Sequence, residues 1–217
     1  MQQISFSDEE SAKLREMVTL YDPTKAVILF AEEISPRNIT LPQIMKELRD
    51  ALDHLMRVVA DKVVPERRDD SGYGGKNLDK AFGHLYRAAY DALDWVSIIL
   101  RARIDTQLSK YSTSAIEASL PDYYPVIKPR LEGFIPEKIA QIRANKDIGA
   151  PDPQSIQEYA GLVKEMKDYW QKVVAAEPSL IDYAKKETGG KRKERIIIGL
   201  ITAACVALGV LLTKILS

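Results

Sequence analysis

Apolar residues recur along most of this chain at intervals of three and four, the spacing that lines one face of an α-helix. Sustained alternation of the strand type is nearly absent. Ser7-Asp8-Glu9-Glu10 has the spacing of a capping box and predicts a helix through about Leu20. Lys25 to Ile34 (KAVILFAEEI) is short and apolar, and reads as a second helix because no other strand is evident to pair with it; Pro36 ends it. With Pro42 in its first turn, the next helix runs from about Leu41 to Val64. Its Ile44, Leu48, Leu52, Leu55 and Val59 share one face, which the pattern assigns to the core.

The longest candidate covers Asn77 to about Tyr111, ~35 residues or on the order of 50 Å, with Leu78, Phe82, Leu85, Ala89, Leu93, Val96 and Leu100 at helical spacing. Pro121, Pro125, Pro129 and Pro136 then force turns or short helices. Gln154 to Glu177 is amphipathic again, after the loop Ala150-Pro151-Asp152-Pro153, and Gly189-Gly190 reads as a flexible joint. The expectation is an all-α cytosolic helical bundle with one long central helix, occupying residues 1–184.

From Ile196 to Thr213 (IIIGLITAACVALGVLLT) the pattern changes: no residue is charged and apolar side chains cover the whole circumference. At ~1.5 Å per residue, ~18 residues give roughly 27 Å, enough to cross a ~30 Å hydrocarbon core with little tilt. A buried core helix rarely stays uncharged for that length, so 196–213 reads as a single transmembrane helix, with 214–217 a short distal tail. Residues 185–195 (KKETGGKRKER) form a basic juxtamembrane linker, which by the positive-inside rule places the N-terminal domain in the cytosol. With no apolar segment near the N-terminus to act as a signal peptide, the chain reads as tail-anchored, in a bacterial inner membrane by preference or in an organelle outer membrane.

Charge sharpens the division. The formal net charge is zero, but the linker holds six basic and two acidic residues and Lys214 adds another base, so residues 1–184 carry a net −5. Lys191, Arg192, Lys193 and Arg195 are suited to anionic lipid, and the acidic body argues against nucleic acid as a partner. The single cysteine, Cys205, lies in the apolar run, which removes disulfides and thiolate metal sites. Gly199, Ala203 and Ala207 recur every four residues, a small-residue face that lets helices approach closely and points to self-association in the membrane.

Inside the domain, Asp53-His54-Leu55-Met56-Arg57-Val58-Val59-Ala60-Asp61 and Gly83-His84-Leu85-Tyr86-Arg87-Ala88-Ala89-Tyr90-Asp91 share H-L-x-R-x-x-x-D thirty residues apart, and the only two histidines take the same place in it. Positions i, i+3 and i+7 lie within about 60° on a helix, so His54, Arg57, Asp61 and His84, Arg87, Asp91 form two polar stripes that would meet if the helices pair as a hairpin. Such a seam can bind an anion through its arginines; equally, Arg57–Asp61 and Arg87–Asp91 are ordinary i,i+4 ion pairs at the polar edge of each helix. Metal is not expected, since a di-iron bundle wants Glu-x-x-His and each histidine here has arginine three residues on.

Arg49-Asp50-Ala51-Leu52-Asp53-His54 has an R-x4-H spacing that resembles the catalytic motif of HEPN-type helical ribonucleases, which are all-α bundles. In mid-helix Arg49 and His54 point about 140° apart. Gly72-Tyr73-Gly74-Gly75-Lys76 lacks the order of a P-loop and reads as linker, and no Ser/His/Asp or Cys/His set is present. The expected function is therefore a non-enzymatic, cofactor-free, tail-anchored protein whose cytosolic bundle binds an unidentified protein partner or assembles at the membrane. A membrane-disrupting effector of bacterial defence or toxicity is the first alternative, and a tethered ribonuclease the second.

Overall fold

The computed structural model describes residues 5–35, 39–64, 72–144 and 152–216, with side chains for all of these except 153, 191–195 and 203–216. Among the described residues every regular element is helical: α1 (Asp8–Ile34), α2 (Pro42–Val63), α3 (Tyr73–Leu108), α4 (Thr113–Ser119), α5 (Ile135–Ala144) and α6 (Pro153–Leu216). Pro36, Pro151 and Lys214 fall outside the described residues or side chains.

Helix α3 is the spine. Runs such as Ala88-Ala89-Tyr90 and Ala92-Leu93 are buried at consecutive positions, so the helix is covered on more than one side. Helix α1 runs parallel to its first half and α2 antiparallel, while α6 runs parallel to its second half with α4 and α5 packed beside it.

Helix α1 is one 27-residue element in place of the two helices expected, continuing through Pro23. Its start follows the capping box: Ser7 Oγ accepts from Glu10 N–H, and the Glu10 carboxylate accepts from Ser7 N–H at 2.8 Å. A helix-interior proline costs about 3 kcal/mol, which is offset here because Met17, Leu20, Ile28, Ala31 and Ile34, on both sides of it, are buried.

Gly72 has φ of 104°, the left-handed region, and turns the chain directly into α3, so Gly74 and Gly75 are helical and not linker. A Cβ on Gly74 would meet Glu10 Oε1 at 2.2 Å. That carboxylate also accepts from Lys62 Nζ at 2.8 Å, so the ends of α1, α2 and α3 close on one buried charge pair.

In the proline-rich stretch, two π-helical turns, Tyr123–Ile127 and Arg130–Phe134, lead into α5. Lys128 N–H donates to Tyr123 O and Ile127 N–H to Asp122 O, five residues back; prolines 125 and 129 lack N–H groups, and the ladder widens around them.

The face that α2 presents differs from the expected one. Ile44, Glu47, Ala51 and Val58 are buried against α3, whereas Leu52 is 57% exposed, Val59 is exposed, and Leu48 and Leu55 are only half-covered. Helices α1 and α2 both pack on α3 and meet each other near their ends, through Glu10–Lys62 and the Ile28/Ile44 cluster, leaving between those contacts an open groove of about 470 Å3 floored by Leu85. Its α2 wall is Leu48, Ala51, Leu52 and Leu55; its α1 wall is Leu14, Met17, Val18 and Tyr21.

Helix α6 spans 64 residues, ~96 Å, and passes through Pro178 and Gly189-Gly190 without a break, so the expected joint is helical. Its contacts with the bundle reach Glu187, which accepts from Ser112 Oγ. Among the described residues no helix is long and apolar enough to cross a membrane. Of the run 196–213, Ile196 to Thr202 are described and exposed; Ala203, Cys205 and Ala207, like Lys191, Arg192, Lys193 and Arg195, have side chains outside the described set.

Candidate functional site: a histidine seam between two helices

The two histidine motifs do meet. His54 and His84 stack with ring centroids 5.4 Å apart and planes 23° from parallel, at the point where α2 and α3 cross in opposite directions. Asn77 Nδ2–H donates to Tyr73 O at 2.9 Å, which fixes its Oδ1 as the acceptor for His54 Nδ1–H, also at 2.9 Å.

His84 Nδ1 lies 2.8 Å from Glu47 Oε2 and 2.6 Å from an Arg87 guanidinium nitrogen. A ring nitrogen cannot donate to one and accept from the other. Glu47 also receives Arg87 Nε–H at 2.8 Å, so the carboxylate is the acceptor for both neighbours and His84 donates through Nδ1–H. Burial alone would push the Glu47 carboxyl up, since only 3% of the residue is exposed; the hydrogen bonds and charges of Arg87 and His84 outweigh that and hold it below the usual carboxylate range.

The seam has a local two-fold character. Each histidine is held by the residue seven positions before the other: Glu47 precedes His54 by seven and binds His84, while Asn77 precedes His84 by seven and binds His54. The repeat extends upstream accordingly, with Leu48 matching Leu78 and Ala51 matching Ala81. Where the copies differ, the geometry differs. Arg87 finds a carboxylate at Glu47 and passes over Gly83, where an added Cβ would lie 3.7 Å from its guanidinium. Arg57 faces a neutral asparagine at the matching place and turns to Asp53, the counterpart of Gly83, at 2.8 Å. Arg57 therefore leaves the seam and pairs in the i,i−4 direction, not with Asp61, which lies 4.0 Å from Lys62. Asp91 is half-buried on α3.

Glu47, the residue that binds both His84 and Arg87, is absent from the stripe as read from sequence; its place two helical turns before His54 was the available signal. Arg49, by contrast, is 73% exposed at its side chain and bonds Asp50 at 2.9 Å, while His54 turns inward to Asn77. The R-x4-H pair is thus divided between solvent and seam.

With each Nδ1–H occupied, Nε2 is the nitrogen that each ring has left to meet a ligand. Two such nitrogens fall short of a closed site, and among the described residues no group of three or more His, Cys, Asp or Glu side chains converges. No family model, curated protein or solved structure matches the chain. Chemically, the seam joins α2 to α3 through one buried carboxylate and a ring stack.

Proposed function

We propose that this chain is a membrane-anchored helical protein that works by association, without catalysis: its domain presents an interaction surface, and α6 carries the domain at a bilayer through residues 196–213. The observation that carries this reading is the continuity of α6. One helix packs its first half into the domain core, passes the basic Lys191, Arg192, Lys193 and Arg195 and becomes the uncharged apolar segment. The seam supports the non-catalytic part, because Glu47, His84 and Arg87 satisfy one another and the rings are held by their Nδ1–H bonds.

Flotation of the full chain with phosphatidylcholine vesicles, with and without phosphatidylglycerol, tests the anchor. The protein is expected to float with both, better with the anionic lipid, and to resist alkaline extraction. Asp at both Leu200 and Leu208 should release it, at about 2.5–3.5 kcal/mol per charge near the bilayer centre. Alkaline release of the unaltered chain would sink the proposal. A dye measurement of membrane potential in expressing cells separates an anchor from an effector: an anchor leaves the potential intact, whereas tails assembled through Gly199, Ala203 and Ala207 to disturb the bilayer collapse it.

A further inference from the structure

The geometry points to the groove between α1 and α2 as the face on which a second copy of this chain docks, two copies meeting groove to groove. Helix α2 has its most regular apolar row on a side that the described residues of the domain leave largely open. Leu48, Leu52 and Leu55 line the groove, and Leu52, Met56, Val59 and Val63 continue as an exposed row along the same helix. The opposite wall repeats the pattern on α1, where Val18 is 60% exposed and Tyr21 is exposed too. Apolar residues at i, i+3, i+4 and i+7 on both walls are the arrangement that receives a helix.

Three features select a copy of the same chain as the occupant. An isologous interface must be self-complementary, and this face carries both a groove and the adjoining Met56/Val59/Val63 ridge that can seat in it. Val18, Tyr21, Leu52, Met56, Val59 and Val63 are each 41–60% exposed, an apolar row comparable to the non-polar part of one side of a standard ~800 Å2 interface. The flanks carry both signs, Arg15 and Asp22 on α1 and, on α2, Arg49 and Arg57 paired within the helix to Asp50 and Asp53, so neither copy brings a like-charged field to the other. The inference deepens the proposed association and rests on it, but not on the anchor; copies held in one bilayer would only meet more often.

The test is the mass of the full chain in detergent micelles by sedimentation equilibrium, for the native protein, for L52E with M56E, and for G199L with A203L and A207L. Two copies are expected for the native chain and for the apolar-segment variant. The groove variant should sediment as one copy, its association weakened more than ~100-fold, with helical content unchanged and the melting temperature of the native chain diluted until its copies separate. Should that variant lose helical content, V18E on the opposite wall repeats the test at a site equally open to solvent. A native chain of one copy, or a groove variant that stays paired, overturns the inference. If only the apolar-segment variant separates the copies, association through the membrane stands and the groove does not. Vesicle flotation reports the anchor independently of every one of these results.

Discussion

The two ends of α3 are covered in different ways. Around its first half, α1 and α2 attach through a charged corner and a histidine seam and leave an apolar groove open between them. Around its second half, α6, α4 and α5 close over Leu100, Ile104, Leu108, Ile127, Ile135 and Met166, each at most 2% exposed. The polar groups enclosed there, the Tyr86, Tyr90 and Tyr159 hydroxyls and Ser97, are each hydrogen-bonded. Tyr86 and Tyr90 hydroxyls meet Ser155 Oγ at 3.0 and 2.7 Å, and Tyr159 donates to Asp94 at 2.5 Å, beside Arg143. Burial and the Asp94 carboxylate both push the Tyr159 hydroxyl up, so it stays protonated. Both halves therefore combine apolar burial with polar contacts between helices, but only the first leaves an apolar row open between its covering helices.

Truncation in the closed half should break the contrast most visibly. Leu100→Ala is expected to cost about 3–4 kcal/mol in urea unfolding, because the site is fully enclosed and collapses little. Glu47→Ala should cost about 2 kcal/mol, less than the core truncation, by leaving Arg87 and His84 without their acceptor. Hydrogen exchange should localise that loss to α2, and the fluorescence of Trp95 and Trp170, both packed against the core that α3 shares with α6, should change later in the transition.

Acid provides a third separation. Glu10 and Glu47 titrate below their unfolded values of ~4.3, so the stability they supply is complete above that pH and is lost as pH falls through the folded values. For Glu10, burial pushes up and Lys62 and Ser7 pull further down. The slope of stability against pH between ~5 and ~3 should shrink in Glu47→Gln; an unchanged slope would mean that the seam carboxylate is not the acid-sensitive group. Leu52→Ala, in the open groove, should change the stability of a single copy by no more than about 0.5 kcal/mol, as surface substitutions do.

The all-helical class, α2, the long α3 and the proline-broken stretch were legible from periodicity and breakers, since the apolar spacing there leaves one reading. Continuity was not legible. Pro23 and Gly189-Gly190 are local breakers, yet α1 is held on both sides of the proline by contacts to α3, and the glycine pair costs only about 1 kcal/mol per residue against alanine. Periodicity showed that α2 has an apolar face but not which neighbour covers it. The repeat correctly brought His54 and His84 together, while the partners were misassigned for Arg57, because the choice depends on Asn77 and Gly83 across the seam. Glu47 was hidden by its charge, which marks a residue for solvent unless a basic group from another helix meets it.

An unbroken α6 also fixes an angle. Each residue advances the helix by about 100°, so the azimuth of any residue beyond Glu187, relative to the face that packs on α3, follows from counting alone. Deleting one residue between Glu187 and Ile196 would swing everything downstream by about 100°, whereas deleting seven would shift it by only ~20°. In this sense the segment leaving the bundle is indexed like a keyed shaft, and its spacing from the core sets direction as well as reach.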